Sequence, residues 1–120
     1  MKKNNKHARG KYIRSRGNGY ERQLAKEFRD MGWTECVTSR SESRSTDSKK
    51  VDLCFTEPFN IQAKCIDTYK NPLAVLKEMP DNNTLYNIVL TKVMNDDEYA
   101  FMKKDAFYEL ITMLKKEKII

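Results

Sequence analysis

Residues 51–65 read VDLCFTEPFNIQAKC, two short apolar runs on either side of Glu57-Pro58. Proline fixes its own φ and donates no backbone hydrogen bond, so the pair marks a turn between strands over 51–56 and 59–65. In a tight antiparallel hairpin about that turn, facing residue numbers sum to about 115, within one for loop type, so Asp52 faces position 62, 63 or 64. Side chains alternate along a strand, which puts Gln62 and Lys64 on one face with Ala63 between them. A carboxylate, an amide oxygen and an ammonium are thereby gathered where a core strand would carry apolar groups. Burying them singly costs several kcal/mol each, so the cluster calls for a partner. Oxygen donors of this kind suit a hard cation such as Mg²⁺, which takes one or two carboxylates and keeps its other positions for water and substrate phosphate.

The flanking sequence supplies the rest of a domain. From Tyr20 onward, at about 100° per residue, Tyr20, Leu24, Ala25, Phe28, Met31 and Gly32 fall within an arc of about 140°, which predicts an amphipathic helix. Glu21 breaks the pattern by lying near the middle of the apolar face, and it would complete the shell around a cation. A strand follows over 33–38, and then SRSESRSTDSKK (39–50), a polar loop long enough within a compact domain to suggest a functional role. Asn71-Pro72 predicts a helix start with Leu73–Met79 helical and Pro80 ending it. Residues 85–93, LYNIVLTKV, read as a strand that pairs with 98–102 across Asn95-Asp96-Asp97. Asp105 is placed to cap a last helix with the stripe Ala106, Phe107, Leu110, Ile111 and Leu114. The order αβββαβ plus a C-terminal helix predicts one α/β domain over 17–120, a central mixed β-sheet flanked by helices.

Composition bounds what this domain does. The 120 residues suffice for one core, and the formal charge of +6 is uneven. Residues 1–20 hold Lys2, Lys3, Lys6, Arg9, Lys11, Arg14 and Arg16 with no Asp or Glu, and taking these seven from +6 leaves −1 on the other hundred residues. Residues 1–16 therefore read as a flexible basic arm suited to a polyanion such as nucleic acid. Cys36, Cys54 and Cys65 lack the paired spacing of zinc ligands, and the only histidine, His7, lies in the arm, which argues for reduced structural thiols and against a zinc finger or a Cys/His enzyme. No apolar run approaches a membrane span, so the chain is expected to be cytoplasmic, in a prokaryote or a phage-infected cell, with no membrane partner.

Glu21 on the first helix, Val51-Asp52-Leu53 on one strand and Gln62-Ala63-Lys64 on the next resemble the PD-(D/E)xK nuclease superfamily. Within it the chain is most similar to the small Holliday-junction resolvases of archaea and their phage-encoded relatives. Its opening GNGYERQLAKEFRDMGW (17–33) is similar to their first helix, and the similarity runs from residue 17 to about 92. The resemblance implies a restriction-endonuclease-like fold and DNA recombination chemistry. It implies Mg²⁺-dependent hydrolysis of DNA phosphodiesters leaving a 5′-phosphate, with Mn²⁺ as a substitute metal. Glu21, Asp52 and Gln62 would surround the metal and Lys64 would attend the attacking water. It further implies a homodimer that nicks paired strands of a four-way junction, and a loop serine near the site, for which Ser39, Ser41 and Ser43 all stand open. Arg40, Arg44, Lys49 and Lys50 of the same loop, with Arg14 and Arg16 of the arm, are candidates to hold DNA phosphates. One position departs from the pattern: the superfamily usually has an acid where this chain has Gln62, so the site carries one negative charge fewer. Two other readings stand beside this one, a nuclease of the same superfamily acting on duplex DNA, and a nucleic-acid-binding module that has lost catalysis.

Overall fold

The apolar arc of the first helix packs as its periodicity requires. In a computed structural model, which describes residues 18–42, 51–66, 72–80 and 85–120, helix α1 covers 18–31 and buries Tyr20, Leu24, Ala25 and Phe28. Met31, counted in the same arc, is instead 61% exposed at the last helical position, next to the Gly32 turn. Gly32 at φ 120° ends it: the Gly32 N–H bonds to Arg29 C=O at 3.2 Å and the Trp33 N–H to Phe28 C=O at 2.9 Å. That is a glycine C-cap with its usual apolar contact, here the Phe28 and Trp33 rings edge to face at 5.3 Å. Trp33 Nε1 also donates to Glu57 C=O at 2.7 Å, fastening the end of α1 to the turn after the second strand.

The strands are shorter at the start than the sequence suggests. Residues 33–36 form turns, and β1 is only Val37–Thr38; α2 (Ser39–Glu42) follows directly, where a loop was expected. β2 is Leu53–Cys54, antiparallel to β1, and these two strands form a sheet of their own. β3 (Phe59–Ile66), β4 (Tyr86–Val93) and β5 (Glu98–Phe101) form a mixed three-stranded sheet. β3 and β4 are parallel, with α3 (Pro72–Glu78) on the connection, and β4 and β5 are an antiparallel hairpin. Asn71, expected as the cap of α3, lies outside the described residues. The last helix, α4 (Lys104–Lys116), has Lys103 rather than Asp105 at its N-cap, with no side-chain cap bond; Asp105 sits in the first turn, where its charge still suits the helix dipole. No described helix is long and apolar enough to cross a membrane.

The register of the three-stranded sheet sorts its side chains into two faces. Phe59, Ile61, Ala63, Cys65, Ile88 and Leu90 point to α1 and join its core with Cys36 and Leu53. The other face carries Val89, which packs with Leu76 and Met79 of the α3 segment and with Phe101. Fully burying a residue such as Leu53 or Ile61 is worth about 1.5–3 kcal/mol, so the α1 face is where this fold gains most of its stability. α4 buries no residue completely, and Phe107, Tyr108 and Met113 along it are about half exposed.

Candidate functional site

Thr56 and Phe59 close the turn as the sequence requires, the Phe59 N–H donating to Thr56 C=O at 2.8 Å and the Thr56 hydroxyl to Phe59 C=O at 2.7 Å. Regular pairing from there would set Asp52 opposite Ala63. Instead the Asp52 N–H reaches Ile61 C=O at 2.8 Å, and the Ala63 N–H donates to Asp52 Oδ2 at 2.7 Å. Phe55, at φ 63°, lies between the two bonded points, in a conformation that L residues adopt sparingly. The carboxylate thus occupies the place of a ladder acceptor, and β3 keeps an edge where a side chain meets the backbone.

Asp52 is held on its other side as well. Its C=O accepts the Ser39 N–H at 2.8 Å, and the fully buried Ser39 hydroxyl donates to Val51 C=O at 2.6 Å. Cys54 Sγ donates weakly to the same hydroxyl at 3.8 Å. Of the loop serines among the described residues, Ser39 is therefore the one built into the Asp52 segment. Ser41 is exposed and donates to Thr38 C=O at 2.9 Å, closing its own turn, while Ser43 lies outside the described residues.

Glu21 comes from the α1 layer. It is buried, and its Oε2 accepts Arg40 Nε at 3.1 Å, which compensates a carboxylate that would otherwise be costly to desolvate. The Arg40 side chain remains 55% exposed, so one guanidinium both neutralises Glu21 and reaches solvent. Arg40 follows Ser39 in the chain, and this links Glu21 to the bonds that hold Asp52.

Gln62 and Lys64 lie on the face of β3 away from α1, since their neighbours Ile61, Ala63 and Cys65 face it. Leu53 is packed in the α1 core, so alternation turns Asp52 to the side that Gln62 and Lys64 share. Lys64 is exposed, whereas Gln62 is 7% exposed and its Oε1 is enclosed with no hydrogen-bond partner. Asn60, earlier on the same face, is satisfied: its Nδ2 donates to Asn87 Oδ1 at 2.9 Å, and Asn87 Nδ2 to Pro80 C=O at 2.7 Å. The structure therefore gathers Asp52, Gln62 and Lys64 on one side of β3, whereas Glu21, paired with Arg40, comes from the α1 layer, which packs on the opposite face. Arg14, Arg16, Arg44, Lys49 and Lys50, the other candidate phosphate contacts, lie outside the described residues.

The chemistry open to this group is that of oxygen ligands. Among the described residues no set of three or more His, Cys, Asp or Glu side chains converges as a metal cluster; the donors here are two carboxylates and an amide. Burial pushes the Cys36 thiol up, with Arg29 opposing and Cys54 adding to the shift, so it is a protonated core residue rather than a nucleophile. Tyr20, at the head of α1, is likewise held far above the usual phenol range by burial and by its hydrogen bond to Glu98. Arg40 as the partner of Glu21, and the Asn60–Asn87 pair, were not legible as partners in the sequence: both join segments 19 and 27 residues apart, which no periodicity records.

No family model matches the chain, and neither curated proteins nor solved structures give a match.

Proposed function

We propose that the chain is a Mg²⁺-dependent, structure-specific DNA endonuclease of the PD-(D/E)xK superfamily, with a restriction-endonuclease-like fold, acting as a homodimer on branched DNA such as a four-way junction. The observation that carries this reading is Gln62 Oε1, an enclosed acceptor without a donor, on the same side of β3 as the buried carboxylate of Asp52. An orphaned acceptor costs about 1–3 kcal/mol, and a cation offsets that cost as a protein donor would. The residues fit a hard cation: Asp52 and Gln62 would hold it, with Glu21 in reserve behind Arg40. When bound, Mg²⁺ supplies charge stabilisation at the phosphate and orients substrate against water.

The chain's own groups have separate tasks. Asp52 is fixed through its N–H, its C=O and its carboxylate, which keeps one ligand rigid while substrate binds. Lys64, exposed on the same side, orients the attacking water, whose oxygen bonds to phosphorus as the P–O3′ bond breaks, leaving a 5′-phosphate and a 3′-hydroxyl. Arg40 reaches solvent beside Glu21, where its guanidinium meets a DNA phosphate with forked hydrogen bonds. The basic arm adds affinity that is independent of sequence.

The test is cleavage of a labelled four-way junction against matching linear duplex, with Mg²⁺ and with chelator, for the full chain and for Asp52→Asn. Paired Mg²⁺-dependent nicks in the junction, lost in Asp52→Asn while junction binding persists, are the expected result. A fully active Asp52→Asn overturns the site, equal cutting of both substrates makes the enzyme a general nuclease, and tight binding without cutting makes the chain a binding module.

A further inference from the structure

Gln62 Oε1 is not alone. Three enclosed side-chain atoms among the described residues have no hydrogen-bond partner, namely Asn18 Oδ1, Gln62 Oε1 and Thr91 Oγ1. Asn18 opens the described part of α1, but the other two are on neighbouring parallel strands. The register sets Gln62 beside Val89 and Lys64 beside Thr91, and residues in register on parallel strands project to the same face. Thr91 Oγ1 therefore lies on the face of Gln62 Oε1, next to the strand position that carries Lys64. Thr91 is 4% exposed and Gln62 7%.

Packing alone does not call for a threonine here. Val89, on the same face two residues earlier, is completely buried, and valine has the shape of threonine without a hydroxyl to satisfy. A second orphaned hydroxyl beside a first orphaned amide oxygen doubles a cost of about 1–3 kcal/mol, and both atoms accept hydrogen bonds. The Gln62 oxygen only accepts and the Thr91 hydroxyl can accept, so a ligand that presents positive charge and donors together, as a hydrated divalent cation does, satisfies both.

We infer that Thr91 is a positioning residue of the cation site, its hydroxyl joining Gln62 Oε1 to receive a hydrated divalent cation beside Asp52. This rests on the reading of Asp52 and Gln62 as cation ligands given above. Thr91 acts through the hydrated ion and touches neither DNA nor the scissile bond.

The test is calorimetric titration of the full chain with MgCl₂ alone, without DNA, for wild type, Thr91→Val, Thr91→Ser and Asp52→Asn, with melting curves in chelator. Residues that support a metal's ligands typically cost about 10–100-fold in affinity when removed, so Thr91→Val should weaken Mg²⁺ binding by about tenfold or more. Thr91→Ser, which keeps the hydroxyl, should bind as wild type does. In chelator Thr91→Val should melt no lower than wild type, because the hydroxyl it loses had no partner. Unchanged Mg²⁺ affinity in Thr91→Val, or a lowered melting temperature in chelator, overturns the inference while Asp52→Asn still reports on the site itself. A wild type that binds no Mg²⁺ overturns the cation reading of Asp52 and Gln62, and the role of Thr91 with it.

Discussion

Replacing Ser39 by alanine isolates what holds the Asp52 segment. The side chain is completely buried, and its hydroxyl donates to Val51 C=O at 2.6 Å. Alanine leaves that carbonyl without its donor, inside a residue that is itself buried, and removes the acceptor used by Cys54 Sγ. Stranding one buried polar group costs about 1–3 kcal/mol, so the folded-to-unfolded ratio should fall by about 5- to 150-fold. For a chain of this size each kcal/mol lowers the melting temperature by about 4 °C. Urea unfolding followed by circular dichroism measures the loss as a lower midpoint at unchanged slope. Ser41→Ala is the control: Ser41 is exposed, and a surface change of that kind stays within about 0.5 kcal/mol. Ser39→Ala matching wild type within that margin, or Ser41→Ala costing as much, refutes the account of Ser39 as the residue that fixes Val51 and Asp52.

Two further outcomes are expected. Gln62→Glu places a second carboxylate beside Asp52, so it should lower stability in chelator and tighten Mg²⁺ binding by about tenfold; an unaltered Mg²⁺ response puts Gln62 outside the shell. Removing residues 1–16 takes away seven positive charges, and the slope of log K against log salt for duplex DNA should shrink by about 0.9 for each phosphate that the arm had neutralised, whereas an unchanged slope makes the arm a bystander.

The regular part of the fold was legible because its signals are local. α1 and the strands β3 and β4 follow from the period of their apolar residues, and the turn at Glu57-Pro58 from its proline. β1 and β2 were overestimated for a physical reason: near Asp52 the partners of the backbone are side chains. Val51 C=O is taken by the Ser39 hydroxyl and the Ala63 N–H by the Asp52 carboxylate, so a ladder that propensity would extend is replaced by tertiary bonds. The register shift has the same origin, and sequence spacing set Asp52 opposite 62–64 rather than at the Ile61 carbonyl. In the candidate site, the common face of Gln62 and Lys64 was legible from alternation alone, while Asp52 came from the hairpin count that the structure shifts. Thr91 was open to the same count in LYNIVLTKV, where the apolar Ile88 and Leu90 face α1 and Val89 and Thr91 face away.

The two faces of the sheet show why such residues persist. Toward α1, every described side chain from β3 is apolar, and Leu53 and Ile61 there are almost completely enclosed. Away from α1, the same strand carries Asn60, Gln62 and Lys64, and its neighbour carries Asn87 and Thr91 around a single buried valine. Asn60 and Asn87 satisfy each other, so polarity on that face is not itself a defect. Gln62 and Thr91 differ in being enclosed with an oxygen left over, Gln62 on the edge strand where Asp52 replaces a backbone partner and Thr91 on the central strand beside it. A stabilising change at either position is within easy reach of mutation, since valine would fill the Thr91 site without an unpaired group. Local choices that oppose stability and cluster in space are expected where a site is built rather than where packing has failed. That clustering makes the pair Gln62 and Thr91 more informative than either residue alone, because a double variant separates the proposed cation site from two unrelated core imperfections: if both oxygens serve one ion, the Mg²⁺ affinities of Gln62→Ala and Thr91→Val will not combine additively.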